Sequence, residues 1–196
     1  IRKYFKSIFL VCFIPTGIGL ADTFTGTDIS NESELSGGTV IDFSNGTGTT
    51  GTYTEGNVTF SSEDNGQIRI DSSYDGRYNN TGDSLQNRPT RSEHVKFSFS
   101  SLVSAFGFNW GASDNLWDLK AYDSNNTLLE TYTLPAVVNS NNGEYYGISS
   151  DSYNISYATL IDTNNHHTSD YIFIDKFIYL ATPDDGDATY SISGTA

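Results

Sequence analysis

The chain has 196 residues, and its 24 Asp and Glu against 10 Lys and Arg give a formal net charge of −14. One domain with a sizeable core fits this length, and such a negative chain lacks the basic surface that nucleic acid or anionic lipid requires, so neither is a predicted partner. The 13 Tyr, 12 Phe and 18 Gly favour strands joined by tight turns.

The N-terminal segment has the three-part pattern of a secretory signal peptide. Arg2, Lys3 and Lys6 precede an apolar run over residues 8–20, which ends at small residues. The run is shorter than the roughly 20 apolar residues that a membrane span needs. We therefore predict a signal peptide over residues 1–21. Cleavage would remove Cys12, the single cysteine of the sequence, and a mature form without disulfides favours a bacterial source.

The N-terminal half of the remaining chain is irregular. Residues 22–38 are polar and are predicted to form a flexible lead-in. A predicted sandwich domain over residues 39–181 then begins with three short strands, and a long polar loop over residues 72–93 follows them. The strands are predicted at VIDFS (40–44), around residues 53–61 and at QIRID (67–71).

The C-terminal half alternates apolar and polar residues with the period of a strand. Val95, Phe97 and Phe99 alternate with Lys96 and Ser98, for example. Nine or ten strands with turns between them, and no helical stretch, predict an all-β fold built as an antiparallel β-sandwich or jelly roll. Residues 171–180 are apolar on both faces, which predicts a central covered strand, and residues 182–196 are predicted to form a polar C-terminal tail.

Three segments carry a resemblance to a known family. They are VSAFGFNWGASDNLWDLKAYDSNNTLLETYT (103–133), ISYATLID (155–162) and DYIFIDKFIYLA (170–181). The chain resembles the globular domain of exported bacterial proteins of the PEP-CTERM type. This resemblance implies a β-sandwich at the cell surface or in an exopolysaccharide matrix, and it implies no established activity. The Pro-Glu-Pro motif, hydrophobic helix and basic end of that family do not follow here, so either a sorting tail lies beyond this sequence or the protein is released.

Patterns typical of catalysis are missing from the sequence. It has no nucleophile elbow, no HExxH, no glycine-rich phosphate loop and no cysteine metal motif, so we predict that the protein is not an enzyme. A glycan hydrolase remains an alternative, because 24 acidic residues could include a suitably spaced carboxylate pair.

Two aspartates predict a structural calcium site. Asp175 interrupts the apolar run FIDKF, and Asp42 lies in the early strand VIDFS. A buried carboxylate needs a cation or hydrogen-bond donors, and Ca²⁺ takes six to eight oxygen ligands. The alternatives are that Asp175 points outward or accepts backbone hydrogen bonds.

Tyrosines predict a sugar-binding surface, because an aromatic face stacks on a pyranose while polar neighbours bond its hydroxyls. Tyr74 and Tyr78 lie in the polar loop with Arg77 between them. Tyr145 and Tyr146 are adjacent in a strand, which predicts that one of them faces solvent. These five residues are the predicted ligand-binding residues.

The predicted function is that of a secreted, non-catalytic cell-surface or extracellular-matrix module that binds polysaccharide. Its predicted partners are polysaccharide or matrix components. The main alternative is a structural subunit of an extracellular filament or biofilm, in which edge strands self-associate.

Overall fold

Antiparallel strands make up nearly all the secondary structure of the computed structural model, which describes residues 21–62, 66–88, 94–163 and 170–182. The predicted signal peptide up to residue 20 and the predicted tail from residue 183 lie outside these residues. In the described part of the chain no helix is long and apolar enough to cross a membrane. The strands are β1 Ala21–Gly26, β2 Thr39–Ile41, β3 Gly48–Thr50, β4 Thr52–Glu55, β5 Val58–Ser62, β6 Gln67–Asp71, β7 Ser84–Arg88, β8 Val95–Gly111, β9 Trp117–Tyr122, β10 Leu128–Leu134, β11 Tyr145–Ser150, β12 Ile155–Asp162 and β13 Phe173–Ala181.

Strand β8 connects the two layers of the fold. Its residues 95–99 lie between β5 and β12, whereas residues 103–111 lie between β11 and β13. The exposed residues 100–102 form the passage between the two parts. A single 17-residue strand therefore belongs to both sheets.

The first sheet has the order β4-β5-β8-β12-β9-β10, and all its pairs are antiparallel. The second has β1-β11-β8-β13, after which β2 and β7 pair with different parts of β13 and β6 and β3 follow β7. The predicted antiparallel β-sandwich is confirmed.

Aromatic side chains from both sheets form the core between the layers. Phe97 of the first sheet contacts Phe108 and Phe177 of the second, with ring centroids 5.5 and 5.2 Å apart. Phe177 also packs edge-on against Phe60 at 5.1 Å. Such pairs add about 0.5–1.5 kcal/mol each beyond the area they bury, so these rings hold the two sheets together.

The second sheet is covered on its outer face as well. Residues 105–111 are all buried, and so is most of β13, which confirms the prediction of a central strand near the C-terminus. Two 3₁₀ helices, Ile29–Asn31 and Ser33–Leu35, lie on this face, where Ile29 and Leu35 form a small cluster with Ile178.

The predicted flexible lead-in over residues 22–38 is wrong. All six residues of β1 pair with β11, and the two 3₁₀ helices follow. The Phe24 ring lies where Gly107 and Gly147 have no side chains, since a Cβ at Gly147 would come within 2.2 Å of it. The absence of side chains at Gly107 and Gly147 therefore leaves the space that the Phe24 ring of this polar strand fills.

The predicted loop over residues 72–93 also contains a strand, β7. Its sequence SLQNR lacks apolar alternation, and buried amides hold it instead. Gln86 donates to Asp71 at 2.8 Å, while Asn87 donates to the Asp170 carbonyl and accepts from the Ile172 amide, both at 2.9 Å. Strands bonded through side chains in this way have no hydropathy signal.

Candidate functional site

The loop between β6 and β7 is a compact turn. The Arg77 amide donates to the Tyr74 carbonyl at 3.0 Å, and the Asn80 amide donates to the Arg77 carbonyl at 3.0 Å. Tyr78 and Asn79 then adopt left-handed backbone conformations, with φ of 55° and 61°. These conformations, which are uncommon outside glycine, bring Tyr74 and Tyr78 to the same side of the loop.

Asn79 fastens this loop to two other elements. Its Nδ2 donates to the Trp110 carbonyl at 2.7 Å and to Glu144 Oε2 at 2.8 Å, and its Oδ1 accepts from the Gly143 amide at 2.8 Å. The side chain is buried, so unmade bonds would be costly. Burial raises the pKa of Glu144, but hydrogen bonds from Ser140, its own backbone and Asn79 hold that pKa below its usual range.

Aromatic rings form the floor and one wall of a groove at this end of the sandwich. Phe173 of β13 is buried, and the Tyr74 and Tyr78 rings pack on it with centroids 4.8 and 5.6 Å away. The Tyr78 ring is nearly parallel to Phe173, at 7°. Tyr74 is 38% exposed, so part of it is free to contact a ligand.

We call this cavity the tyrosine groove. It has a volume of about 240 Å³ and includes three exposed hydrophobic side chains, those of Tyr74, Val138 and Tyr171. Clustered exposed apolar groups beside converging polar ones are typical of binding sites. The lining residues are Tyr74, Tyr78, Ala112, Asp114, Val138, Asn139, Tyr171 and Phe173.

Asp170 holds the polar edge of the groove in place. Its buried carboxylate accepts from the amides of Asp114 and Asn115, at 2.9 and 3.2 Å, and from Trp117 Nε1 at 2.8 Å. These bonds order the turn after β8. The exposed Asp114 side chain is thereby presented at the groove.

A second cavity of about 220 Å³ adjoins the first, and we call it the Arg77 pocket. It is lined by Gly76, Arg77, Tyr78, Asn139 and Asn141, and it shares Tyr78 and Asn139 with the tyrosine groove. Asn141 Nδ2 donates to the Gly76 carbonyl at 2.9 Å. The two cavities therefore form one extended concave surface.

Tyr145 and Tyr146 do not belong to this surface, and the prediction that one of them faces solvent is wrong. They are 5% and 8% exposed, because both faces of β11 are covered. Tyr145 donates to Glu32 Oε2 at 2.6 Å, and burial together with this bond raises its pKa to about 12. Tyr146 packs edge-on against Tyr132 at 5.7 Å.

Asp175 is fully buried on the outer face of the second sheet. It accepts from the amides of Thr81 at 2.8 Å and Lys176 at 2.7 Å. Burial nevertheless raises its pKa to about 6, and the charge of Asp42 also acts to raise it. Asp42 is exposed, and hydrogen bonds from Ser44 hold its pKa below the usual range.

The surroundings of Asp175 fit an oxygen-ligated cation only in part. Asn109 is its register partner on β8, and Asn80 precedes Thr81, whose amide bonds Asp175. Asn109 Oδ1 and both side-chain amide atoms of Asn80 are buried without hydrogen-bond partners among the described residues. These amide oxygens and the carboxylates of Asp42 and Asp175 are the groups that would hold an ion. They are fewer than the six to eight that Ca²⁺ takes. The described residues contain no group of three or more His, Cys, Asp and Glu able to hold a metal.

The sequence reasoning missed a second aromatic surface, on the outer face of the first sheet. Tyr122 and Tyr157 are register partners, and their rings stack 4.7 Å apart at 10°. Knowledge of the β9–β12 register would have revealed them. Lys96 lies 4.3 Å over the Tyr157 ring. The Tyr157 ring is therefore covered by Tyr122 and by Lys96, whereas Tyr74 is 38% exposed.

No family model matches this chain, and no curated protein matches it. Solved structures with some likeness include the K1 cleaved adhesin domain of Lys-gingipain from Porphyromonas gingivalis W83, at 12% identity and TM-score 0.41 over 83% of this chain and 99% of that one. Another is the CBM22-1 xylan-binding domain from Paenibacillus barcinonensis Xyn10C, at 15% identity and TM-score 0.39 over 75% and 97%. A third is the module CtCBM11, at 13% identity and TM-score 0.39 over 74% and 95%. Likeness at this level carries no functional information about the chain.

Proposed function

We propose that this protein is an exported, non-catalytic cell-surface or matrix module that binds polysaccharide in the tyrosine groove. The observation that most supports this proposal is the partly exposed Tyr74 beside Tyr78. Asp114 and Asn139 line the same cavity. Tyrosine faces stack on the apolar face of a sugar ring, and carboxylate and amide groups bond its hydroxyls. Both kinds of contact are available in one groove.

The composition of the groove supports binding rather than hydrolysis. Asp114 is the single carboxylate among its lining residues, whereas glycosidases use two carboxyl groups across the scissile bond. The acidic charge of the chain and the signal-peptide pattern support a location outside the cell.

A glycan array followed by calorimetry tests the proposal. Tyr74→Ala and Tyr78→Ala should each weaken binding of the best array glycan at least tenfold, which corresponds to about 1.4 kcal/mol of lost stacking. Tyr153→Ala is a matched control, because Tyr153 is 40% exposed and lies beyond Ser150, at the end of β11 away from Tyr145. Equal losses in all three variants, or no glycan bound at all, would contradict the proposal.

Assembly into a filament is the second candidate, because β10 has a strand partner on one edge only among the described residues. An open edge strand is a template for pairing with another chain. Light scattering across a hundredfold concentration range separates the two functions. The particle mass of a binding module should stay that of a monomer, whereas the particle mass of a filament subunit should increase with concentration.

We also propose that a structural calcium ion binds near Asp175 and Asp42. The support is the buried carboxylate of Asp175, its coupling to Asp42 and the unpartnered side-chain oxygens of Asn80 and Asn109. A ligand that binds only the folded state raises its stability. Removing divalent ions with a chelator should therefore lower Tm, and added CaCl₂ should restore it. Asp175→Asn should show no change in Tm on chelation. If chelation leaves the Tm of the wild type unchanged as well, the calcium proposal is contradicted.

A further inference from the structure

Arg77 is an exposed cation on a strongly acidic protein. Its guanidinium makes no hydrogen bond or ion pair with any residue in the described ranges, yet it lines a cavity of about 220 Å³. The chain around it carries a formal charge of −14. A lone cation in such surroundings is the point at which an anionic group of a ligand is most favourably placed.

Three other cations on the described surface already have interactions, and Lys176, which is also exposed, lines neither the Arg77 pocket nor the tyrosine groove. Arg69 forms an ion pair with Asp71, and Lys120 lies 3.5 Å from Asp118. Lys96 covers the Tyr157 ring at 4.3 Å. Arg77 is therefore distinguished from these three by its position in a cavity and by its open donors.

The backbone that carries Arg77 is held rigid. Its amide donates to Tyr74 and its carbonyl accepts from Asn80, both at 3.0 Å. Asn141 also bonds the neighbouring Gly76 carbonyl at 2.9 Å. Preorganised groups lose less entropy on binding, and the planar guanidinium fork matches a carboxylate with two parallel hydrogen bonds.

The adjoining tyrosine groove has the opposite polarity. Its ionisable lining residue near the stacking surface is Asp114, which repels a second carboxylate but accepts hydrogen bonds from hydroxyls. The two cavities share Tyr78 and Asn139, so consecutive sugars of one chain can occupy both. The Arg77 pocket therefore favours a charged sugar, and the tyrosine groove beside it favours a neutral one.

We propose that the site recognises an acidic polysaccharide in which uronic acid residues are interspersed with neutral sugars. The uronate carboxylate binds Arg77, and the adjacent neutral sugar stacks on Tyr74 and Tyr78. This inference rests on the proposed function, because it names the ligand class of the same groove. A continuous polyuronate is disfavoured, since its next carboxylate would approach Asp114.

Matched polysaccharides test the inference by calorimetry. The probes are hyaluronan and glucuronoxylan, in which uronates are interspersed with neutral sugars, polygalacturonate, and a carboxyl-reduced form of each. We expect at least one interspersed polymer to bind tenfold or more tighter than its carboxyl-reduced form and than polygalacturonate. Added salt should narrow this gap, because it screens the exposed charge pair.

Variants assign the effect to Arg77. Arg77→Gln should abolish the preference for the acidic form, and Arg77→Lys should retain part of it. Lys120→Gln removes the same charge from the outer face of the first sheet and should leave the preference intact. Thermal melting of each variant confirms that it is folded.

The outcomes separate this inference from the proposed function. Equal binding of acidic and carboxyl-reduced polymers, preferential binding of polygalacturonate, or an unchanged preference in Arg77→Gln would overturn the inference. If Tyr74→Ala still loses binding in those cases, the polysaccharide-binding function stands. Binding of none of these polymers would overturn the inference alone if the array glycan still binds at Tyr74, whereas glycan binding that Tyr74→Ala does not affect would overturn both.

Discussion

At the scale of single residues, the polar groups beneath the groove show how this protein stabilises its loops. Asn79 is 4% exposed and Asp170 is 2% exposed. Each makes at least three hydrogen bonds to backbone or side-chain groups of other segments. Buried hydrogen-bonded polar groups rigidify a site, while half-satisfied ones destabilise it. The groove walls thus depend on buried residues that are not among those lining the groove.

Asp175 makes the stability of the protein depend on pH. Its folded-state pKa of about 6 lies above its ordinary value of 3.8, so the folded protein holds this proton more tightly than the unfolded chain does. Stability should therefore fall by roughly 3 kcal/mol as pH rises from about 4 to about 6.

Asp175→Asn isolates this effect from the other carboxyl groups. Guanidinium unfolding at pH 4, 5, 6 and 7 in chelator should show wild type losing stability relative to the variant across this window. Calcium should reverse the loss, since it binds the ionised carboxylate. A difference between the two proteins that is constant with pH would contradict this account of Asp175.

At this scale the sequence places Tyr74 and Tyr78 in one polar loop, and the structure brings their rings to 5.8 Å from each other; that they bind a ligand stays a prediction. The sequence did not predict the burial of both Tyr145 and Tyr146. Alternation shows that neighbours in a strand face opposite sides, but it does not show that Glu32 and Tyr132 cover both of those sides.

At the scale of elements, the end of β8 fixes the position of the loop that carries the tyrosines. A Cβ built on Gly111 would lie 1.9 Å from the Tyr78 carbonyl oxygen, so backbone meets backbone and no side chain can move aside. Glycine at this position permits the close approach.

Gly111→Ala should push the loop away from β8. We expect a loss of about 1–3 kcal/mol in unfolding free energy, the usual cost of overpacking, together with weaker glycan binding. Denaturant unfolding and calorimetry on the same sample measure both quantities. Gly51→Ala is a suitable control, because a Cβ at Gly51 meets no atom within 4 Å. Unchanged stability and affinity in Gly111→Ala would show that the loop does not depend on this contact.

Hydrophobic alternation was sufficient for the elements whose partners are apolar. It located the first part of β8 at residues 95–99 and β13 at residues 171–180, each to within a few residues. It did not reveal β1 or β7, since β1 depends on a ring placed over distant glycines and β7 on buried amides. Nor did it show that residues 95–111 form one continuous strand that belongs to two sheets. The pairing of β8 with its neighbouring strands determines this, and the spacing of apolar residues does not reveal it.

At the scale of the whole molecule, the fold separates stability from binding. The aromatic core between the sheets contains Phe60, Phe97 and Phe177, whereas the proposed binding groups lie on the loops at one end. Loops on a rigid scaffold are where binding residues concentrate. The class of fold could therefore be predicted from composition and alternation, but the groove could not, because it forms where residues 74–78, 112–114, 138–139 and 171–173 converge.

An NMR titration with the best-binding array glycan tests the central claim most directly. We predict that the largest amide shifts fall on the tyrosine groove, at Tyr74, Tyr78, Asp114 and Tyr171. Shifts centred instead on Tyr122 and Tyr157, on the outer face of the first sheet, with the groove unchanged, would contradict the account.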